Sequence, residues 1–227
     1  DPNGKAYLLD LNNNNQKIPY EKHTKIVYCL SFNSNSDQIA SASEDGTVRL
    51  WDLHGKPLRD HPLSPESGTV YYVIFIDNDQ KLAMGCLNGK IILQDLQSDE
   101  KVYCEGHTSA VYCLSFSLEK NLLSSASGDG TARVWNLEGK QEGIFKHESM
   151  VYWVSFSPDG KRLATACADG KVYLWHVKSQ QKIAEYKHHD GQVFSVGFSY
   201  HEPWIATASE DKTVKLRKIE NLPELIK

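Results

Sequence analysis

A chain of 227 residues, 40% hydrophobic and 10% aromatic, is long enough to bury a sizeable ordered core. Its 25 Lys+Arg against 29 Asp+Glu, a net charge of −4, leave no basic excess to draw it to nucleic acid or an anionic membrane. The five cysteines (Cys29, Cys86, Cys104, Cys113, Cys167) are odd in number without a Cys-x-x-Cys pair, and no apolar run approaches the ~18 residues of a membrane helix, so the chain reads as cytoplasmic with reduced, buried thiols.

In chain order, the segment Asn3–Asp10 aligns with Asp45–Asp52, the turn and third strand of a later unit. Residues 1–22 therefore read as a partial unit, its third and fourth strands only, with Asn12–Asn15 as a surface loop between them. Five fuller units follow: 23–60, 61–99, 100–140, 141–182 and 183–227. Each opens with a strand running from Val to Phe: VYCLSF, VYYVIF, VYCLSF, VYWVSF and VFSVGF. A small, polar second strand comes next. A tight turn follows, at Asp45, Asn88, Asp129, Asp169 and Asp211. The first four turns place Gly second, as a turn with positive φ at both centre positions prefers. The fifth has Asp211-Lys212 and should be strained or of another type. Third strands alternate, with apolar pairs such as Val48/Leu50 and Val214/Leu216 marking a half-buried strand. A last fourth strand is expected within residues 220–227.

The turns are 43, 41, 40 and 42 residues apart. Strand-sized pieces at that period indicate an all-β propeller with one four-stranded antiparallel blade per repeat. Five repeats plus half a blade do not close tidily, which suggests the C-terminal part of a larger propeller.

Gly106-His107, the Ser-Pro-Asp-Gly run at 157–160, the Asp-Gly turns and Trp51-Asp52 make the chain resemble the WD-repeat family over essentially its whole length. The resemblance implies a buried His, Ser/Thr, Asp and Trp tetrad in each blade. It is complete here as His23/Ser41/Asp45/Trp51, His107/Ser125/Asp129/Trp135 and His147/Thr165/Asp169/Trp175. The second repeat has Glu66, Met84, Asn88 and Gln94 and loses it; the fifth keeps His189, Thr207 and Asp211 but ends on Arg217. A His beside Asp and Ser could suggest a catalytic triad or a metal site. Its recurrence at one structural spacing argues for a structural role, with no metal and no cofactor.

The resemblance also places the residue after each leading Val at the top mouth of the central channel. These are Tyr28, Tyr71, Tyr112, Tyr152 and Phe194, with Glu44 and Glu210 among the rim residues. An aromatic floor with an acidic rim suits a protein or peptide partner bearing Lys or Arg. The expected function is a non-enzymatic interaction scaffold binding on its top face. Two alternatives are a closed structural scaffold using its blade sides, and a sensor or autoinhibitory part of a larger signalling protein. The ending LRKIENLPELIK resembles the ends of repeat arrays fused to bacterial signal-transduction NTPases. No phosphate-binding Gly-x-x-x-x-Gly-Lys-Ser/Thr loop lies in the chain itself.

Overall fold

Twenty-one antiparallel strands, β1 to β21 in chain order, make up the regular structure of the computed structural model, which describes residues 5–10, 15–62 and 68–219. They form six separate sheets. A two-stranded sheet comes first, β1 (Lys5–Asp10) with β2 (Gln16–Glu21). Four sheets of four strands follow, beginning at β3 (Val27–Phe32), β7 (Val70–Ile76), β11 (Val111–Ser117) and β15 (Val151–Phe156). The last sheet has three: β19 (Val193–Phe198), β20 (Trp204–Ser209) and β21 (Val214–Lys218). The sheets are called blades below, the two-stranded one the half-blade and the other five blades one to five. The fourth strand expected in 220–227 and most of the Asn12–Asn15 loop lie outside the described residues, as does Glu66.

Each blade is a meander, and in blades one to four the second strand is the most buried. In β4 (Gln38–Ser43), β8 (Lys81–Cys86), β12 (Leu122–Ser127) and β16 (Arg162–Cys167), the last five residues are all buried. A strand covered on both faces cannot alternate polar with apolar, and tight spacing between blades favours small side chains. That accounts for Ala, Ser, Thr, Gly and Cys in these segments. The cores lie between blades: Ala40, Val48 and Leu50 of blade one pack with Val70, Val73 and Met84 of blade two. Burial pushes the Cys86, Cys104 and Cys113 thiols up to about 12, so they behave as small neutral hydrophobes.

The two ends of the array differ from its middle. Leu30 of β3 is 48% exposed, although its equivalents Val73, Leu114, Val154 and Val196 are 2% or less. No inner strands of the half-blade cover it among the described residues. At the far end, Val214 and Leu216 are 71% and 69% exposed. The half-buried alternation expected for that strand is therefore absent. The same positions in blade one, Val48 and Leu50, are 4% exposed or less because blade two packs on them.

The turns carry the same end effect. Gly89 and Gly170 have φ of +83° and +79°, and a Cβ on either would stand 2.5 Å and 2.7 Å from the His107 and His189 carbonyl oxygens of the next blade. Lys212 takes the corresponding place in blade five at φ +67°, so the expected strain is present. A non-glycine residue costs about 1 kcal/mol or more there. Lys212→Gly is accordingly expected to stabilise the protein by several tenths to about 1 kcal/mol in urea titrations.

Candidate functional site: an aromatic arc

Tyr28, Tyr71, Tyr112, Tyr152 and Phe194 occupy the second position of the first strand in successive blades, and each sits at a break in register. Val27 pairs with Ser43 and Cys29 with Ala42, so Tyr28 has no partner of its own. The same slip falls between Val70 and Tyr72, Val111 and Cys113, Val151 and Trp153, and Val193 and Ser195. All five aromatics are thus the extra residue of a β-bulge. A bulge releases one residue from the ladder and re-aims its side chain, and bulges concentrate at rims and sites.

Re-aimed in this way, the five rings meet in series. Neighbouring centroids are 4.9 Å (Tyr28–Tyr71), 5.5 Å (Tyr71–Tyr112), 5.7 Å (Tyr112–Tyr152) and 5.4 Å (Tyr152–Phe194) apart. The interplanar angles, 45° to 64°, are tilted or edge-on, the arrangements that ring quadrupoles favour. The three central rings are half-buried, and the end rings Tyr28 and Phe194 are exposed. Tyr152 Oη donates to Gln192 Oε1 at 2.5 Å.

The rim is built by a repeated backbone bond. Glu44, Leu87, Gly128, Ala168 and Glu210 donate their N–H groups to the carbonyls of Ile26, Thr69, Ala110, Met150 and Gln192 at 2.9–3.0 Å. Each residue before the turn is thereby fixed beside the residue that precedes the leading Val. Glu210 Oε2 accepts from the Gln192 side-chain amide at 3.2 Å, which links it through Gln192 to the Tyr152 hydroxyl. Glu44 has Lys25 Nζ at 3.8 Å on an exposed flank. Burial first, then neighbouring Tyr28 and Tyr112 and the Glu44 charge, raise the Tyr71 pKa. For Tyr152 the order is burial, Tyr112 and Glu210. Both rims add negative potential over the rings.

Behind this surface lie the His–Asp groups. His23 Nδ1 is 2.9 Å from Asp45 and Nε2 is 2.7 Å from Ser41 Oγ, which accepts from Trp51 Nε1 at 2.8 Å. In blade three the corresponding distances among His107, Asp129, Ser125 and Trp135 are 2.8, 2.7 and 2.9 Å. Donor arithmetic sets the chain: indole N–H to hydroxyl oxygen, hydroxyl to Nε2, Nδ1–H to carboxylate. Burial pushes the Asp45 carboxyl up, but bonds from Thr47, the Thr24 N–H and His23 win and hold it at about 2. His189 bonds Asp211 and Thr207 at 2.8 Å each, while Arg217, in the Trp position, lies over the Tyr186 ring.

Blade four departs from the expected tetrad. His147 Nε2 meets Thr165 Oγ1 at 2.8 Å and Trp175 donates to the same oxygen at 3.2 Å, but Asp169 accepts from Tyr173 Oη at 2.6 Å instead of from His147. His147 Nδ1 has no hydrogen-bond partner among the described residues. The reason lies two residues past the turn. Thr47, Thr131 and Thr213 bridge carboxylate and imidazole in the other three blades, and Lys171 replaces them here. Gln94 of blade two, in the Trp position, bonds Asp99 at 3.1 Å.

Residues 14–52, 99–136, 139–176 and 180–217 each match the family described as "WD domain, G-beta repeat". The gap between the first two matches contains the degenerate second repeat. Among curated proteins, the chain is 27% identical over 130 residues to "WD repeat-containing protein SL1-17" of Schistosoma mansoni, covering 57% of this chain and 43% of that protein. It is 26% identical over 137 residues to "Target of rapamycin complex subunit LST8" of Bos taurus, covering 60% and 42%. It is 24% identical over 177 residues to human "Apoptotic protease-activating factor 1", covering 60% and 14%. The matches thus span less than half the length of these relatives. Among the described residues no helix is long and apolar enough to cross a membrane.

Proposed function

We propose, from the premise that this chain belongs to the WD-repeat family, that it is a non-enzymatic scaffold holding a protein segment with a Lys or Arg side chain on its aromatic arc. The observation that carries the reading is the unbroken series of five rings, each delivered by a bulge. Such a floor offers apolar area and cation–π faces at once, and Glu44 and Glu210 at the rim complement a cation. One relative is by its name a subunit of a complex, which agrees with a binding role. The buried groups argue against hydrolytic chemistry. Ser41, Ser125 and Thr165 are fully buried, and their hydroxyl oxygens are already engaged by indole N–H and imidazole, so no substrate reaches them.

A second reading, a sensor part of a longer signalling chain, has one observation in its favour: the match covers only 14% of the longest of the three relatives above. The two readings share the same surface.

Tyr112→Ala/Tyr152→Ala is the direct test. In an array of extended peptides, those with Lys or Arg are expected to bind wild type. The double variant, its circular dichroism unchanged, should lose on the order of thirtyfold in affinity, about 2 kcal/mol. Charge reversal at Glu44 or Glu210 should act less and mainly slow association. Equal binding by wild type and the double variant would move the site off the arc.

A further inference from the structure

The opposite end of blades three and four carries a second feature. First strands begin at the aromatic arc and run about 20 Å away from it at the usual rise per residue. Where β11 and β15 end, the loops after them and the loops that close β13 (Thr131–Trp135) and β17 (Lys171–His176) surround a pocket of about 520 Å³. Its walls include the apolar side chains of Leu122, Val134 and Val177, and its rim carries Lys120, Lys161 and Lys178. A volume of this size lies in the range of ligand-binding pockets and has room for several side chains of a partner segment.

The charge at this rim is unbalanced. Lys120, Lys161 and Lys178 have no carboxylate within 4.0 Å among the described residues. Two carboxylates stand close by, Glu142 on the rim itself and Asp159 beside Lys161, so three lysines face two acids. Asp159 accepts from Ser157 Oγ at 2.6 Å and from the Lys161 N–H at 3.0 Å. Glu142, also on the rim, accepts from Asn136 Nδ2 at 3.3 Å and has Lys140 Nζ at 3.9 Å. The Lys161 backbone is held: its carbonyl accepts from the Val177 N–H at 2.9 Å, tying one rim loop to the other. The chain as a whole is acidic, so this local positive field stands against its own background.

The geometry points to a second docking site here, for an acidic peptide segment that places an aliphatic side chain between Leu122, Val134 and Val177 and its carboxylates against Lys120, Lys161 and Lys178. Three ammonium groups around an apolar pocket are too few and too local to track a nucleic-acid backbone or a membrane surface. They do suit two or three carboxylates flanking one anchor.

The test uses the whole chain and a fluorescein-labelled peptide, Glu-Asp-Glu-Leu-Leu-Glu-Asp-Glu, followed by fluorescence anisotropy. Wild type is expected to bind it at least about tenfold more tightly than the Gln/Asn counterpart, with affinity falling as salt rises from about 50 to 500 mM. Lys120→Glu/Lys161→Glu, both at exposed positions, should remove that preference while the fold is retained. Tyr112→Ala/Tyr152→Ala should leave acidic-peptide binding unchanged, which separates this site from the aromatic arc. Equal binding of acidic and neutral peptides, or full binding by the lysine double variant, would overturn the proposal. So would preferential capture of a labelled single-stranded oligonucleotide over the acidic peptide.

Discussion

Trp135→Ala is expected to lower stability by about 3–5 kcal/mol, the range for removing a large, fully buried aromatic side chain. Trp135 has no exposed surface and packs with Leu123, Leu114 and Leu137 in the core between blades two and three. Its indole N–H is the donor to Ser125 Oγ, so the substitution also leaves a buried hydroxyl, imidazole and carboxylate without their terminal partner. Trp175→Ala in blade four should fall in the same range, since its N–H donates to Thr165. Gln94→Ala is the control. The residue stands in the same strand position, but its side-chain amide bonds Asp99 on the flank, so a loss of about 1 kcal/mol is expected. Equal losses at Gln94 and Trp135 in urea titrations would contradict the structural role given to the His–Asp–Ser–Trp groups.

Acid should destabilise the protein in two steps. Burial pushes the His147 pKa down to about 4, against the pull of the Phe145 and Gly130 carbonyls and of Asp169. A base with a folded pKa below its unfolded value of 6.5 is neutral in the fold while the unfolded chain takes up a proton. The contribution is therefore complete above pH 6.5 and declines as pH falls towards 4. Between pH 7 and pH 4.5 this one residue should account for roughly 2–3 kcal/mol. His147→Gln should flatten that part of the profile; His107, also lowered chiefly by burial, keeps a residual slope. The second step belongs to the hydrogen-bonded carboxylates, Asp129, Asp211 and Glu185 among them, and is read most directly at Asp45, whose folded value of about 2 lies below the ordinary 3.8. Its stabilisation is present above pH 3.8 and is lost between there and pH 2. Urea midpoints across this range, wild type against His147→Gln, read both steps.

The blades and the positions of their turns could be read from the sequence because each rests on local chemistry, alternation and Asp-Gly dipeptides; the turn type could not, since only the glycine, and not Asp45, Asn88, Asp129 or Asp169 before it, takes positive φ. The tetrads of blades one and three were legible for the same reason, since a fixed spacing carries them. Three further features were not. The bulges at Tyr28 and its equivalents are a mismatch between two strands, and neither strand alone records it. The exposure of Val214 and Leu216 depends on what lies beside β21, although their pattern matches that of buried Val48 and Leu50. The rewiring around His147 did leave a signal, in Lys171 for Thr and Tyr173 for Arg or Lys at that strand position. Asp and His are both in place there, and the difference sits in the third residue that joins them, Lys171.

Apart from the Tyr72–Trp153 ring contact between blades two and four, the described blades pack chiefly on the next one along the chain, and this has a kinetic meaning. The substantial contacts between successive blades link β3 to β7, β7 to β11, β11 to β15 and β15 to β19, so no such contact closes a loop much longer than one repeat. The entropy of closing those loops is therefore met in small, similar instalments instead of one long-range step. A blade can settle once its own strands and the next first strand have emerged from synthesis. Structure can then grow along the chain in the order in which it is made, each new first strand covering the face left open by the blade before it.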